Sequence, residues 1–299
     1  MSRPSLKEIS QAQRERLVHI DFKSRFFGAF NRNDLVCRFG IKAAAATRDI
    51  SLYKELAPNN LTYDTKVKTY IASDAFRPLF EHNGRQVLYA LCQAQEDDQA
   101  IDNTALIPSE MPTQLNLPNL DVLAEITKAI FQRKVLKIEY RSLTSGHSVR
   151  EIVPFALIDN GLRWHVRAFD RKEGRFTDFV INRISKPKIL KQQIIKSETR
   201  EADNQWNRIV EMRIVPHPLL KHPETIKMEY GMKETKDGFM IKVQVRAAVA
   251  GYVLRRWNVD CSDTHILDSP EIHLWLQNHQ SLYGVENLSI APGYQLASK

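Results

Sequence analysis

The sequence predicts an α+β protein of three successive folded parts, and changes in its hydrophobic pattern predict that class. Apolar residues recur at helical spacing in the first quarter of the chain and at a period of two through the middle, and the final third mixes both patterns. With 299 residues, the chain is long enough for two or three domains. Its 43% hydrophobic and 26% charged residues are the composition of a folded globular protein.

Three helices are predicted in the first quarter. The first is an amphipathic helix over 11–30, whose apolar residues lie three or four positions apart on one face. Those residues are Leu17, Ile20, Phe26, Phe27 and Phe30. Asn31 and Asn33 are candidate N-caps of a short second helix, which Gly40 ends. The third helix is predicted over 41–56 and opens with an alanine run.

A β-hairpin is predicted directly after these helices. The segment LTYDTKVKTYIAS alternates apolar and polar residues around an Asp-Thr turn, which is typical of two short antiparallel strands. Three helices followed by a two-stranded wing are the arrangement of a winged helix-turn-helix. We therefore predict such a domain over 1–75.

Residues 76–118 are predicted to form a helical linker. RQVLYALCQA is a short apolar helical fragment, and three prolines interrupt the stretch that follows it. An amphipathic helix over 119–133, with Asn119 or Asp121 as its N-cap, then begins the middle part.

Strands dominate the remainder of the chain. The middle part, predicted over 119–195, contains VLKIEYRS, VREIVPFALID, LRWHVRAFD, FTDFVINRI and PKILKQQII. Tight turns between these segments predict a strongly bent antiparallel sheet or a small barrel. A charged stretch separates it from an α/β part over 205–299. There we predict strands in MRIVPHPLL, IKMEYGM and FMIKVQVRAA, and helices in VAGYVLRRWN and PEIHLWLQNHQ.

Basic side chains on the predicted winged helix indicate a DNA-binding surface. Residues 1–75 hold thirteen basic and eight acidic residues, so +5 of the net charge of +8 lies there. The alanine run allows the third helix to approach base edges, and Arg48 can pair bidentately with guanine. The predicted DNA-binding residues are Arg32, Lys42, Thr47, Arg48, Ser51, Lys54, Lys66 and Lys68. A protein-interaction module is the alternative, because an alanine run favours a helix anywhere.

Aromatic, hydroxyl and guanidinium side chains gather on neighbouring strands of the middle part. Trp164 and Val166 share one face of their strand; if that face is internal, His165 and Arg167 form an accessible polar face. Three arginines on one small sheet repel one another unless an anion is bound. Arginine pairs with phosphate and aromatic rings stack on bases, so the predicted ligand is a nucleotide or oligonucleotide. The predicted ligand-binding residues are Tyr140, Ser142, Arg150, Trp164, His165, Arg167 and Arg183.

The succession EYRS, REIVPFALI, LRWHVRAFD and DFVINRI resembles the WYL-domain transcriptional regulators of bacteria. Trp164, His165 and Val166 occupy the triplet that names the family, and they depart from Trp-Tyr-Leu at two of three positions. The resemblance implies an Sm-like barrel that binds a nucleic-acid fragment or nucleotide-like signal. It also implies a C-terminal dimerisation domain in YVLRRWN and PEIHLWLQNH. The layout is most similar to repressors beside phage-defence operons such as BREX islands, and a homodimer of this kind is expected to bind an inverted-repeat operator.

Motifs of catalysis and metal binding are not found in the sequence. It has no P-loop, GxGxxG, HExxH or GxSxG, so we predict neither an enzyme nor a cofactor. The pairs His217/His222 and His273/His279 lack the spacing of metal ligands. Scattered cysteines, no apolar N-terminal segment and no apolar run of about 18 residues favour a cytoplasmic protein without a membrane contact.

Two other functions fit some of these features. An adaptor for RNA or single-stranded nucleic acid would use the barrel as its main binding surface, and duplex DNA would then compete poorly. A nucleotide-processing enzyme would turn over nucleotides.

Overall fold

The computed structural model describes residues 6, 9–92 and 115–294. They form two compact units, Met1–Pro112 and Thr113–Lys299. Both units contain helices and antiparallel strands, which confirms the predicted α+β class.

Three helices begin the first unit, and local sequence signals set their ends. They are α1 (Gln11–Phe27), α2 (Arg32–Phe39) and α3 (Ala43–Leu56). The predicted first helix is three residues too long, because Gly28 takes a left-handed conformation at φ 73° and ends it. Asn31 is the N-cap of α2: its side chain accepts from the Asp34 amide, and the Asp34 carboxylate accepts from the Asn31 amide. Gly40, at φ 60°, ends α2 as predicted.

A small antiparallel sheet completes the winged helix. Its strands are β1 (Ala29–Phe30), β2 (Leu61–Asp64) and β3 (Thr69–Ala72), in the order β1-β3-β2. The predicted hairpin is confirmed. In its turn, the Asp64 carboxylate accepts from the amides of Lys66 and Val67, and Lys68 is left-handed at φ 53°. The strand β1 was not predicted, because two residues are too few to show an alternating pattern.

The segment after the wing packs against the three helices. Leu79 and Phe80 pack against the core formed by α1, α2 and α3. The predicted helical fragment is confirmed as α4 (Gly84–Cys92). Most of the proline-interrupted stretch that follows lies outside the described residues.

The second unit begins with α5 (Leu120–Gln132) and a five-stranded antiparallel sheet. Of the two predicted caps, Asn119 is the one used, since its side chain accepts from the amides of Asp121 and Val122. The strands, all five of them predicted, are β4 (Val135–Ser142), β5 (Gly146–Asp159), β6 (Trp164–Asp170), β7 (Arg175–Val180) and β8 (Ile184–Leu190). Their order is β7-β6-β5-β4-β8. The register shifts between β5 and β6 at Pro154, which lacks an N–H for the ladder.

One face of this sheet packs on α5. Ile126 and Ala129 of the helix, together with Leu136, Ile152 and Val166 of the strands, are fully buried in a common core. The apolar side of β6 therefore faces inward, as the sequence pattern predicts.

A second five-stranded sheet forms the C-terminal part of this unit. Its strands are β9 (Ile209–Pro216), β10 (Lys233–Thr235), β11 (Gly238–Arg246), β12 (Val259–Asp260) and β13 (Leu274–Leu276), in the order β10-β11-β9-β13-β12. The helices are α6 (Asn204–Asn207), α7 (Pro223–Glu229) and α8 (Ala247–Arg256). Ala247, Ala250 and Leu254 of α8 are buried in the core of this sheet, and the predicted helix in VAGYVLRRWN is thus confirmed.

Two predictions in this part were wrong. The segment IKMEYGM was predicted as a strand but belongs largely to α7, because Pro223 occupies the first turn and Gly231 follows the helix end at φ 55°. PEIHLWLQNHQ was predicted as a helix but contains β13 and a 3₁₀ turn at His279–Leu282. Leu274 and Leu276 are both buried and pair with β9. Their spacing of two residues is therefore that of a strand, and the segment does not form a helix.

Candidate functional site

The outer face of α3 is the first candidate site. Helical periodicity directs Ala46, Ile50 and Tyr53 into the core and leaves the opposite side exposed. The exposed residues are Lys42, Ala43, Ala44, Thr47, Arg48, Ser51, Lys54 and Glu55. Small side chains at the start of the helix and cations along it form a surface that a polyanion can approach closely.

A buried ion pair fixes α3 against α1. Asp49 is 2% exposed, and Arg16 Nε lies 2.6 Å from its Oδ2. Gln13 Nε2 donates to Asp49 Oδ1 at 2.9 Å. Because Asp49 is buried and Arg48 is exposed, this anchor holds the helix while Arg48 remains in solvent. Sequence analysis did not identify the pair, because a lone aspartate gives no local sign of a partner 33 residues away.

All eight predicted DNA-binding residues are exposed in the first unit. Arg32 begins α2, and Lys66 and Lys68 lie in the turn of the wing. Thr47 donates its hydroxyl hydrogen to the Ala43 carbonyl at 3.0 Å, so it can only accept a further hydrogen bond. Across 9–92, none of the six cations in the set has a carboxylate within 4.0 Å. These cations are therefore available to an external anion.

A second buried carboxylate joins the parts of the first unit. Asp21 of α1 accepts hydrogen bonds from the Tyr53 hydroxyl (2.5 Å), the Leu79 amide (2.9 Å) and His82 Nε2 (2.9 Å). Burial and the hydrogen bond to Asp21 raise the pKa of Tyr53. The network was missed from the sequence, and it ties α3 and residues 79–82 to the first helix.

The arginines of the middle sheet contradict one argument from the sequence. Arg150 is buried, and its Nη1 lies 2.5 Å from Asp170 Oδ2 and 3.1 Å from Glu173 Oε1. Carboxylates of the chain itself therefore neutralise it, and the expectation that the clustered arginines require a bound anion was wrong. Arg183 is half-buried, with no carboxylate within 4.0 Å in the described part of the chain.

Arg167 is neutralised in the same way. Its guanidinium forms a fork on Asp203, with Nε to Oδ2 at 2.6 Å and Nη2 to Oδ1 at 3.1 Å. Its Nη1 donates to Asp178 at 2.9 Å. The side chain is 4% exposed, so it is a buried link between β6, β7 and the segment before α6.

The predicted accessible face around His165 is covered by α8. His165 is 4% exposed, and its ring stacks on Tyr252 at 5.3 Å between centroids. The Tyr252 hydroxyl donates to Asp178 Oδ2 at 3.0 Å. Burial lowers the pKa of His165 and raises that of Tyr252. Among the described residues, His165 Nδ1 is buried without a hydrogen-bond partner.

The three remaining predicted residues make contacts typical of a fold rather than of an open site. Tyr140 is buried, its ring packs on Phe179 at 5.0 Å, and its hydroxyl accepts from the Val180 amide. Trp164 packs half-buried against the core under α5. Ser142 Oγ accepts from the Thr144 amide in the hairpin turn. His165 and Arg167 are linked through two intermediate residues, since His165 stacks on Tyr252, Tyr252 donates to Asp178, and Asp178 accepts from Arg167.

Two cavities flank Tyr252. One of about 180 Å³ lies over β7 and beside α8. Its lining includes Arg167, Arg175, Thr177, Asp178, Gln205, Tyr252 and Asn287. The other, of about 290 Å³, is lined by Asn160, Gly161, Leu162, Tyr252, Arg255, Arg256 and Asn258. The residues of α8 were predicted to serve dimerisation alone, although the adjacent pair Arg255-Arg256 follows Tyr252 closely in the sequence and was a visible signal.

Neither a metal site nor a membrane span is found within residues 9–92 and 115–294. No three His, Cys, Asp or Glu side chains there are placed to hold a metal ion. No helix in these ranges has the length and apolarity needed to cross a bilayer.

The chain is similar to a group of bacterial regulators along most of its length. Residues 12–91 match the model of the BrxR transcriptional regulator winged helix-turn-helix domain. Residues 121–189 match the WYL domain, and residues 209–282 match the BrxR transcriptional regulator C-terminal dimerization domain.

Transcriptional repressors of two bacteria are also similar to this chain over most of its length. The DNA-binding transcriptional repressor CapW of Escherichia coli (strain KTE188) is 28% identical over 283 residues, which cover 91% of each chain. CapW of Pseudomonas aeruginosa is 30% identical over 254 residues, which cover 83% of each chain. Among solved structures, proteasome accessory factor B/C of Arthrobacter aurescens is 14% identical with a TM-score of 0.29. That match covers 91% of this chain, which spans 46% of the accessory factor.

Proposed function

Because the chain belongs to the family of WYL-domain transcriptional repressors that includes CapW, we propose that it is a homodimeric repressor that binds duplex DNA. The observation that carries the proposal is the exposed outer face of α3, whose cations have no carboxylate partner across 9–92. Since its target is DNA, we expect the protein to act in the cytoplasm.

We propose that α3 enters the major groove. Arg48 would pair with a guanine, and Lys54 would contact the backbone. Ser51 would donate or accept at base edges or phosphates, whereas Thr47 would accept a hydrogen bond at a base edge. The helix N-terminus at Lys42 would face phosphate, which its dipole favours. Arg32 and the wing residues Lys66 and Lys68 would neutralise further phosphates.

A homodimer would make the operator an inverted repeat. The similarity of residues 209–282 to a dimerization domain supports two-fold association through the C-terminal part. A two-fold dimer presents two copies of α3 to half-sites separated by about one helical turn or a multiple of it. The resemblance to repressors beside phage-defence operons supports a target operon of that kind.

We further propose that the WYL domain releases the repressor when it binds a nucleotide or oligonucleotide. Of the predicted ligand-binding residues, His165 and Arg167 are the ones that face α8, and Arg183 is a half-buried cation without a carboxylate partner in the described chain. Tyr140, Ser142, Arg150 and Trp164 would shape the sheet that supports them. Release requires that the effector binds the DNA-free conformation more tightly than the DNA-bound one.

The test compares three labelled nucleic acids by fluorescence anisotropy. They are a duplex from the region upstream of the protein's own gene, a scrambled duplex of equal length, and the single strands of the first. We expect the upstream duplex to bind most tightly, by roughly 10³-fold or more over the scrambled one. Binding should weaken steeply with salt. A preference for single strands would overturn the proposal and favour the single-strand adaptor.

A further inference from the structure

We propose that the cavity between the 160–162 turn and the C-terminal end of α8 binds the phosphate-bearing end of a nucleotide through Arg255 and Arg256. The inference rests on the proposed function, because it names the effector's chemical class and the residues that hold it. None of the residues that carry it belongs to the set predicted from the sequence.

The cavity is close in size to the smallest small-molecule pockets. Its volume of about 290 Å³ lies just below the range of about 300–1,000 Å³ that is usual for such pockets. The turn Asn160–Leu162 of the WYL domain forms one wall, and Tyr252, Arg255 and Arg256 of α8 form the other. A ligand there would contact both the sensing sheet and the C-terminal part.

The guanidiniums of the cavity are available to an anion. Arg255 is exposed, and no carboxylate of the described residues lies within 4.0 Å of it. Arg256 has only Asp159 nearby, at 3.8 Å, in a pair whose side chains are 58% and 32% exposed. Such a pair is weak because solvent screens it. Two adjacent guanidiniums with so little counter-charge suit a phosphate, which arginine binds in a bidentate manner.

The local backbone keeps the turn close to Arg256. Gly161 has φ 88°, a conformation that residues with a Cβ rarely adopt. A Cβ added there would lie 3.0 Å from Arg256 Cδ, so the turn rests directly on the arginine stem. Leu162 is 62% exposed beside it and offers an apolar surface for a base or a ribose.

The position of α8 connects this cavity to the rest of the unit. Tyr252 lines the cavity, stacks on His165 and donates to Asp178. On its other side, α8 contributes Ala250 and Leu254 to the core of the C-terminal sheet. A phosphate bound by Arg255 and Arg256 would therefore change the position of α8, which contacts both the WYL sheet and the core of the C-terminal sheet. A ligand that favours one position of α8 would shift the dimer toward that state.

Calorimetric titration of the full-length protein tests the inference. The probes are AMP, GMP, CMP and UMP, a 5′-phosphorylated dinucleotide, adenosine and inorganic phosphate. The variants are the double change Arg255→Ala/Arg256→Ala, the conservative Arg256→Lys, and the control Arg200→Ala. Arg200 is an exposed arginine of the same unit whose guanidinium bonds only to the neighbouring Glu201 carboxylate among the described residues. Duplex binding is measured on the same preparations.

We expect at least one phosphorylated probe to bind the wild type and the Arg200→Ala control equally. The double variant should weaken that binding roughly tenfold or more, and Arg256→Lys should fall between them. Adenosine should bind much more weakly than AMP, and a preference for the dinucleotide over AMP would identify an oligonucleotide end as the source of the phosphate. Equal affinity in the double variant and the wild type, or no binding of any probe, overturns the inference. If the wild type binds a phosphorylated probe but does not bind duplex DNA, the proposed function is refuted and the phosphate site is still supported.

Discussion

At the scale of single residues, the neighbours Arg48 and Asp49 of α3 have different roles: Asp49 anchors the helix, and Arg48 is available to DNA. Asp49 points into the core and pairs with Arg16, whereas Arg48 points to solvent. The sequence pattern predicted the exposure of Arg48 because helical periodicity assigns each position to a face. It did not predict the role of Asp49, because the partner is contributed by a different helix.

Replacement of Arg48 by alanine should remove base discrimination. Loss of one bidentate contact to guanine corresponds to about 1–3 kcal/mol, so we expect affinity for the operator to fall by roughly 5- to 150-fold for each half-site. Affinity for scrambled duplex should fall far less. Gel shifts on both duplexes measure the difference, with Lys68→Ala as the matched control that should weaken both alike. Equal losses on both duplexes for Arg48→Ala would exclude the base-reading role.

Asp49→Asn should destabilise the first unit, although it changes none of the exposed residues of α3. The change removes a charge-assisted pair with Arg16 that is largely buried, so we expect a loss of about 2 kcal/mol in the free energy of unfolding. Hydrogen exchange of the α3 amides and denaturant unfolding report it. Glu125→Gln is the control, because its pair with Lys128 is exposed and should contribute below about 0.5 kcal/mol. Similar effects of the two changes would show that the Arg16–Asp49 pair does not anchor α3.

The ligand-binding residues show where reasoning from residue types failed. Several arginines on one sheet predict a bound anion, yet Arg150 and Arg167 are neutralised by Asp170, Asp178 and Asp203. Asp203 lies in the charged stretch between the two predicted parts, where no local pattern indicates a partner for Arg167. Strand alternation placed His165 and Arg167 on one face of β6, but it could not reveal that α8 covers His165.

At the scale of elements, strong local signals decided which predictions were confirmed. The helices α2 and α5 and the wing hairpin have caps or turns within their own segments, and each was predicted. The segments α7 and β13 were assigned wrongly, because their short apolar patterns fit both periods and the choice depended on Pro223 in one case and on pairing with β9 in the other.

The helix α8 offers a test of close packing between elements. A Cβ on Gly251 would lie 2.1 Å from the Asn287 carbonyl oxygen, which backbone movement alone can relieve. We therefore expect Gly251→Ala to lower the free energy of unfolding by about 1–3 kcal/mol or more. Gly84→Ala in α4 is the matched control, since no atom lies within 4 Å of the added Cβ and a small gain below about 1 kcal/mol is expected. Thermal unfolding compares the two variants. An unchanged unfolding temperature for Gly251→Ala would contradict the close packing of α8 against Asn287.

At the scale of the whole molecule, the order of the parts was readable from the sequence. The change from helical to alternating periodicity marks the passage from the winged helix to the WYL sheet, and the resemblance supplied the C-terminal dimerisation part. Contacts distant in sequence were not readable, and they include the Asp21 network and the links from Arg167 and Tyr252. These contacts determine which surfaces are free, so they changed the candidate effector site more than they changed the fold.

A two-fold repressor requires that two copies of α3 contact one duplex. Selection of duplexes from a random pool by the full-length protein, followed by sequencing, tests this most directly. We predict an inverted repeat whose half-sites are centred about 10–10.5 base pairs apart, or a multiple of that spacing. Enrichment of a single unrepeated half-site, or of no sequence at all, would contradict a two-fold repressor that reads its operator through α3.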